Sequence, residues 1–298
     1  MSQKRTIGYH VLAVAIVGIW GMTFISTSVL LEYFSPAQIF TIRFLIAYIG
    51  MWFFAPRPFF SFSVKDELKL ALAGVTGGSL YFLSENTALE LSGEASSVSF
   101  IVCTTPLVTA LLSIILRHKG ERMTWPLALG SACSLGGIAL VMFNGSSFNG
   151  VPPAAYLLAM LASFTWAVYT IIISGLSDKY ASAFISRKVF FYGLLTIIPF
   201  LLLQDRGLDM TAFTQSKVIL NILFLSVVAS LGCYALWTPV VRKLGTIKAG
   251  NYIYLNPLFT LAGAVVLLGE QMTWLSLGGS LLTLFGVWLA SLTTKWHH

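Results

Sequence analysis

Charge is what this sequence lacks most. Only 10% of its 298 residues are Asp, Glu, Lys or Arg, where a soluble domain carries about 25%, so most of its surface cannot face water. Histidine is also scarce. The four present, His10, His118, His297 and His298, fall near helix ends or in tails, and none pairs with Cys or Asp as a nucleophile and base would. A membrane-embedded enzyme is therefore the weakest reading. Cys103, Cys133 and Cys233 all stand inside apolar runs, with no CxxC or metal-ligand spacing; they suit packing, not a disulfide framework or a zinc site. A nucleotide-binding P-loop is missing too, which argues against ATP-driven work. The net charge of +7 is not gathered into a basic stripe, so nucleic acid is not an expected partner. No cofactor is implied.

What the chain has in abundance is apolar sequence: 57% of its residues are hydrophobic and mean hydropathy is +0.83. A helix needs roughly 20 apolar residues to cross the hydrocarbon core of a bilayer. Runs of that kind lie near His10–Leu31, Pro36–Ala55, Leu68–Leu89, Ala95–Leu116 and Met123–Phe143. A second set follows near Val151–Ser174, Tyr180–Leu203, Val218–Val241, Lys248–Leu268 and Met272–Thr293. The expected fold is all-α and integral to the membrane, with ten transmembrane helices. Lys4 and Arg5 before the first run superficially resemble a signal peptide. The run continues through Leu31 without a small-x-small cleavage site, so an uncleaved first helix is expected.

The turn-rich stretch Asn144–Gly150 divides the chain into halves, 1–143 and 151–294, and the halves repeat. GERMTWPLALGSACSLGGIAL, from Gly120, matches GEQMTWLSLGGSLLTLFGVWL, from Gly269, at about half of its positions, far above chance for apolar sequence. Thr105-Pro106-Leu107 corresponds to Asn256-Pro257-Leu258, and Trp20 to Trp166. Five helices per half is an odd number, so the second half should enter the membrane from the opposite side. The flanking charges test this. Arg117, Lys119 and Arg122 surround the first copy, whereas the second has no Lys or Arg nearby. The positive-inside rule then puts the first copy in the cytoplasm and the second outside. Arg57, Lys65, Lys179, Arg242, Lys243 and Lys295 agree, while Arg206 and Lys217 flank an external loop. Both termini are expected in the cytoplasm, with the halves as inverted repeats.

Taken in order, Trp20-Gly21, the Pro36…Arg43 spacing, Thr105-Pro106-Leu107, Gly120-Glu121 and Met123-Thr124-Trp125 resemble the drug/metabolite transporter superfamily, specifically its EamA-type branch. The resemblance covers nearly the whole chain. It implies a central cavity between the halves and alternating-access movement of a small metabolite across a bacterial inner membrane, by a monomer or weak homodimer. The partners are then the lipid bilayer and a small-molecule substrate. The first expectation is export of an amino acid or related amine; a channel or a non-transporting scaffold is the alternative.

A midplane site between inverted halves needs polar or aromatic residues at mid-helix. Trp20 and Thr23, with Trp166 and Tyr169, meet this at symmetric positions; Tyr81, Tyr234, Trp237, Thr105 and Asn256 complete the substrate-binding candidates. Their indole faces could hold a cation, or could simply pack helices. Pro106 and Pro257 each remove a backbone bond to the carbonyl four residues earlier, at Val102 and Ile253, which suits either a gate or a static kink. Arg43 and Glu85 are expected about 10 Å and 9 Å below the same face. That depth permits an ion pair, and Glu85 is the candidate to carry a coupling proton. Arg187 and Lys188 are expected to snorkel to the cytoplasm. Glu121 and Glu270 should cap helices, while Gly74, Gly78, Gly130, Gly137 and Gly286 should allow close helix approach.

Overall fold

The computed structural model describes residues 3–56, 60, 63–116, 124–142, 152–204, 207–244, 249–250, 252–269 and 273–292. It is all-helical, with no strand among the described residues. Such a chain has little choice: in hydrocarbon every backbone N–H and C=O must be paired within the segment, and helices do that unaided. Among the described residues, six helical stretches are long and apolar enough to cross a membrane: Ile7–Leu31, Pro36–Phe54, Ala95–Ile115, Pro153–Leu176, Ser182–Leu203 and Ser216–Leu244.

In chain order the first half contains α1 (Gln3–Leu31), α2 (Pro36–Phe54), α3 (Val64–Gly74), α4 (Leu80–Ser92), α5 (Ala95–Val102), α6 (Thr105–Ile115) and α7 (Trp125–Met142). The second contains α8 (Pro153–Leu176), α9 (Ser182–Leu203), α10 (Ser216–Leu223), α11 (Cys233–Leu244), α12 (Asn256–Gly263) and α13 (Trp274–Ser291). Local chemistry sets several of these ends. Ser35 forms a capping box with Gln38 at the start of α2, and Gly93 (φ 67°) supplies the left-handed turn that ends α4.

Several expected single helices are interrupted. The run expected over Ala95–Leu116 breaks at Cys103-Thr104, and Pro106 sits in the first turn of α6, where its missing N–H costs no helical bond. Likewise a 3₁₀ turn at Ile253–Leu255 precedes α12, which carries Pro257 in its first turn. Wide π-helical turns join α3 to α4 (Val75–Ser79) and α10 to α11 (Phe224–Gly232). Such turns withdraw carbonyls from the helix ladder, frequently at functional sites.

The packing treats the halves as interchangeable. α7 lies against α13. A Cβ at Gly137 would come 2.4 Å from the Gly279 carbonyl and 2.5 Å from the Thr283 nitrogen, and one at Gly286 would come 2.5 Å from the Gly130 carbonyl and the Ser134 nitrogen. Gly137 and Gly286 hold equivalent places in the repeat, as do Gly130 and Gly279. Moving up α7 means moving down α13, so the pair is antiparallel. The same exchange runs through the molecule: α3 and α4 pack on α8 as the 224–232 turn and α11 pack on α1, while α5 and α6 meet α8 as α12 meets α1.

The principal core surrounds Phe40, Phe44, Phe82, Phe190 and Tyr234. One expectation is corrected here. Arg187 and Lys188 do not reach into water; each is 1% exposed. Arg187 donates to the Ala55 carbonyl and stacks on Trp52 at 4.5 Å, and Lys188 pairs with Glu67. Protein partners at the end of α2 and the start of α3 are closer than solvent. Beside them Lys179 (3.3 Å) and Tyr180 (3.0 Å) donate to Asp66. Burial works to raise the Asp66 carboxyl, but these hydrogen bonds outweigh it and hold it below the usual aspartate value. Together the two clusters fasten α3 to α9 and to the α8–α9 connection.

Candidate functional site

Trp20 on α1 is the hub of a group of rings. Its centroid lies 5.0 Å from Trp237, 5.9 Å from Trp166 and 6.1 Å from Tyr234, all edge-on. Trp166 on α8 in turn meets Tyr81 at 4.8 Å, Tyr169 at 4.9 Å and Tyr234 at 5.9 Å. The π-helical turns orient these rings. Trp20 Nε1 donates to the Ala229 carbonyl (3.2 Å), and Tyr234 donates to the Gly77 carbonyl (3.3 Å). Each turn thus lends a backbone carbonyl to an aromatic of the other half. A glycine is required at 77 because a Cβ there would stand 2.3 Å from the Tyr169 ring.

The rings border a cavity of about 40 Å³ lined by Trp20, Thr23, Phe24, Arg43, Tyr81, Phe82, Glu85, Val102, Thr105, Trp166, Tyr234, Ile253 and Asn256. A site needs about 10–15 Å³ to hold one water, so the space has room for a few waters. Seven of the nine substrate-binding candidates reach it: Trp20, Thr23, Tyr81, Thr105, Trp166, Tyr234 and Asn256. Tyr169 and Trp237 stand behind the wall, packed on Trp166 and Trp20. Pro106 and Pro257 are not in the lining, but the residues immediately before them, Thr105 and Asn256, are.

Arg43 and Glu85 both line the cavity, on opposite hydrogen-bonding errands. Arg43 Nε donates to Ser230 Oγ at 2.5 Å, and its guanidinium lies 4.6 Å from the Phe82 ring centroid. Glu85 accepts from the Tyr81 hydroxyl one helical turn earlier. The permitted ion pair is therefore replaced by two separate polar contacts, and both charges keep hydrogen-bonding capacity toward the cavity. Asn256 Oδ1 is buried without a hydrogen-bond partner.

The carbonyls expected to be freed by the prolines are found at the cavity edge and are already engaged. Thr105 Oγ1 donates to the Val102 carbonyl (2.7 Å), and the Cys103 thiol reaches the Ile253 carbonyl (3.7 Å). Sequence reasoning missed Phe24, Phe82 and Ser230. Phe82 was recoverable, being adjacent to Tyr81 on a helix already singled out; Ser230 was not, because only the fold brings α2 beside the 224–232 turn. Glu121 and Glu270 lie outside the described residues.

The family described as EamA-like transporter family matches residues 7–143 and again residues 153–292. An uncharacterized transporter of Archaeoglobus fulgidus is 27% identical over 292 residues, covering 97% of this chain and 98% of its own. A probable amino-acid metabolite efflux pump of Salmonella typhimurium is 27% identical, covering 93% of each chain. A probable terminal-alkyne amino-acid exporter of Streptantibioticus cattleyicolor is 28% identical over 77% of this chain and 75% of its own. One solved structure shares the fold, with a TM-score of 0.67 at 16% identity over 98% of both chains.

Proposed function

We propose, from the premise that the chain belongs to the EamA-like transporter family, that it exports an amino acid or related amine by alternating access. The chain is a multi-pass membrane transporter. In this reading its helices make ten crossings in two inverted halves, 1–143 and 151–294, with both termini in the cytoplasm of a bacterial cell and no cofactor. The antiparallel pairing of α7 with α13 and the exchange of contacts between halves support the inversion. The asymmetric charges around Gly120 and Gly269 support the orientation.

The observation that carries the substrate class is the composition of one cavity wall. A guanidinium (Arg43), a carboxyl (Glu85), an unpartnered amide oxygen (Asn256) and six aromatic rings converge on the same space. An amino acid matches it, with its carboxylate toward Arg43 and its ammonium toward Glu85, Asn256 and the ring faces. A multiply phosphorylated substrate would call for several cations, and among the described residues Arg43 is the one Lys or Arg in the cavity lining. Relatives named for amino-acid export point the same way. The cavity is small for a metabolite, and in this reading it widens as the halves move during alternating access.

Counterflow in proteoliposomes tests the proposal. Vesicles preloaded with unlabelled amino acid should accumulate the labelled form with no imposed gradient, saturably. Flux that does not saturate would mean a channel, and silence toward every amino acid and amine would remove the substrate class.

A further inference from the structure

Among the described residues four buried side-chain oxygens lack a hydrogen-bond partner: Ser28 Oγ, Asn86 Oδ1, Ser99 Oγ and Asn256 Oδ1. Asn256 belongs to the cavity wall. The other three each stand about one turn along a helix from a residue of that wall. Ser28 comes four residues after Phe24 on α1, Asn86 four after Phe82 on α4, and Ser99 three before Val102 on α5. Phe24, Phe82 and Val102 all line the cavity. Residues three or four apart share a helix face and lie about 5 Å apart along the axis. α1 and α4 run toward the connections at 32–35 and 93–94, and α5 runs away from them. Steps forward on α1 and α4 and a step back on α5 therefore lead to one side of the cavity. The three helices also pack pairwise.

The opposite side is apolar next to the cavity. One turn back along α1 from Trp20 lie Ile16 and Val17, packed with Val240 and Val241 of α11, and nearly two turns further back His10 hydrogen-bonds Tyr252. Asn86 and Ser99 are as buried as this plug, at 2% and 0% exposed, yet they present oxygens with nothing to bind. Buried polar groups in folded proteins are satisfied by protein or by ordered water. These three oxygens carry no charge, and Arg43 lines the neighbouring cavity, so they suit water better than a metal cation.

We infer that Ser28, Asn86 and Ser99 mark a hydrated access path from the 32–35 side of the molecule, the extracellular side in the proposed topology, and that in this conformation Glu85 exchanges its proton with that side alone. The inference rests on the proposed function and on the sequence-based expectation that Glu85, which there faces the substrate ammonium, also carries a coupling proton. The step is a simple exchange: a hydronium on this path passes a proton to the Glu85 carboxylate, leaving water and a neutral carboxyl, and the reverse returns it. The titratable and charged groups around Glu85 are Tyr81 of its own helix, Arg43 from α2 and Tyr234 from α11, with Tyr169 of α8 behind Trp166. The cavity-lining residues of α1, α5, α6 and α12 contribute none.

The test is modification of Ser99→Cys and Ser28→Cys in the intact chain by a membrane-impermeant cationic methanethiosulfonate. The reagent is added to right-side-out and to inside-out membrane vesicles, and intact mass is compared with the parent carrying its three native cysteines. We expect modification at least about tenfold faster from the extracellular side. Equal rates from both sides, faster modification from the cytoplasmic side, or none in either variant would overturn the inference. Because labelling needs no substrate, a wrong amino-acid assignment leaves it readable. A second measurement covers variants that fold poorly: Asn86→Leu with Ser99→Ala should slow proton-driven uptake at least about tenfold while substrate counterflow stays within about twofold. Unchanged proton-driven uptake would refute the path.

Discussion

Replacing Asn256 with leucine separates binding from packing by the sign of two effects. Asn256 Oδ1 lies in the cavity wall without a partner, and such an unmet acceptor costs the ligand-free protein about 1–3 kcal/mol. Leucine has nearly the same size and removes that acceptor. On the α1 side there is no spare room: a Cβ at Gly21 would stand 3.0 Å from Oδ1 and 2.6 Å from the Phe259 Cβ, so the added methyls turn toward the cavity. Asn256→Leu should therefore raise the thermal midpoint of the ligand-free protein by a few degrees. A bound ammonium loses its hydrogen bond at the same time, worth about 1.5–3 kcal/mol when one partner is charged, which is about 10- to 150-fold in Kd. Detergent-solubilised protein followed by a thermal-unfolding scan, with and without a titrated amino acid, reads both quantities. A purely structural amide would give the reverse pattern. Lower stability with an unchanged Kd would refute the reasoning.

Other perturbations probe separate parts of the fold. Glu85→Gln keeps an acceptor for the Tyr81 hydroxyl but cannot take up a proton; counterflow should persist while the pH dependence of net transport flattens, and an unaltered pH profile would leave Glu85 a structural partner. Gly137→Leu and Gly286→Leu should each destabilise the protein by at least about 1–3 kcal/mol, because the new side chain meets backbone atoms of the partner helix; equivalence predicts similar losses, checked by thermal unfolding, and a harmless variant at either position would contradict the pairing. Asp66 is held below the usual aspartate value by Tyr180 and Lys179. Its contribution is present above the unfolded-state value and is lost as pH falls through the lower folded-state one. The parent should thus lose stability on acidification below about pH 4, and Asp66→Asn should show a weaker loss over that range in unfolding scans.

Much of the architecture was legible because membrane spans and repeats are written in one dimension. Hydropathy located the long apolar helices. The paired Thr105-Pro106 and Asn256-Pro257 marked where α6 and α12 begin after a break. The symmetry argument selected Trp20, Trp166, Tyr81, Tyr234 and Asn256, and the fold brings all five to one cavity. The π-helical turns at 75–79 and 224–232 were not legible. Gly77-Gly78 weakens an α-helix without specifying a wider turn, the 224–232 sequence suits an ordinary apolar helix, and only the fold brings Trp20 and Tyr234 to the carbonyls of these turns. Arg187 and Lys188 were misplaced for a related reason. Depth in the membrane can be counted along a helix, but only the fold sets Glu67 and the Ala55 carbonyl near enough to outcompete water.

By itself, then, the sequence determined the membrane setting, the duplicated plan and the set of mid-helix residues from which a site could be built. Hydrophobicity, repetition and charge bias are properties of single segments and do not depend on what those segments touch. Tertiary structure decided which of those residues face a common space and what each is left able to bind. It gave Arg43 to Ser230 and Glu85 to Tyr81 in place of one another, and it left the oxygens of Ser28, Asn86, Ser99 and Asn256 without partners. Hydrogen bonds form over about 3 Å, and proximity at that scale exists only once helices distant in sequence have packed.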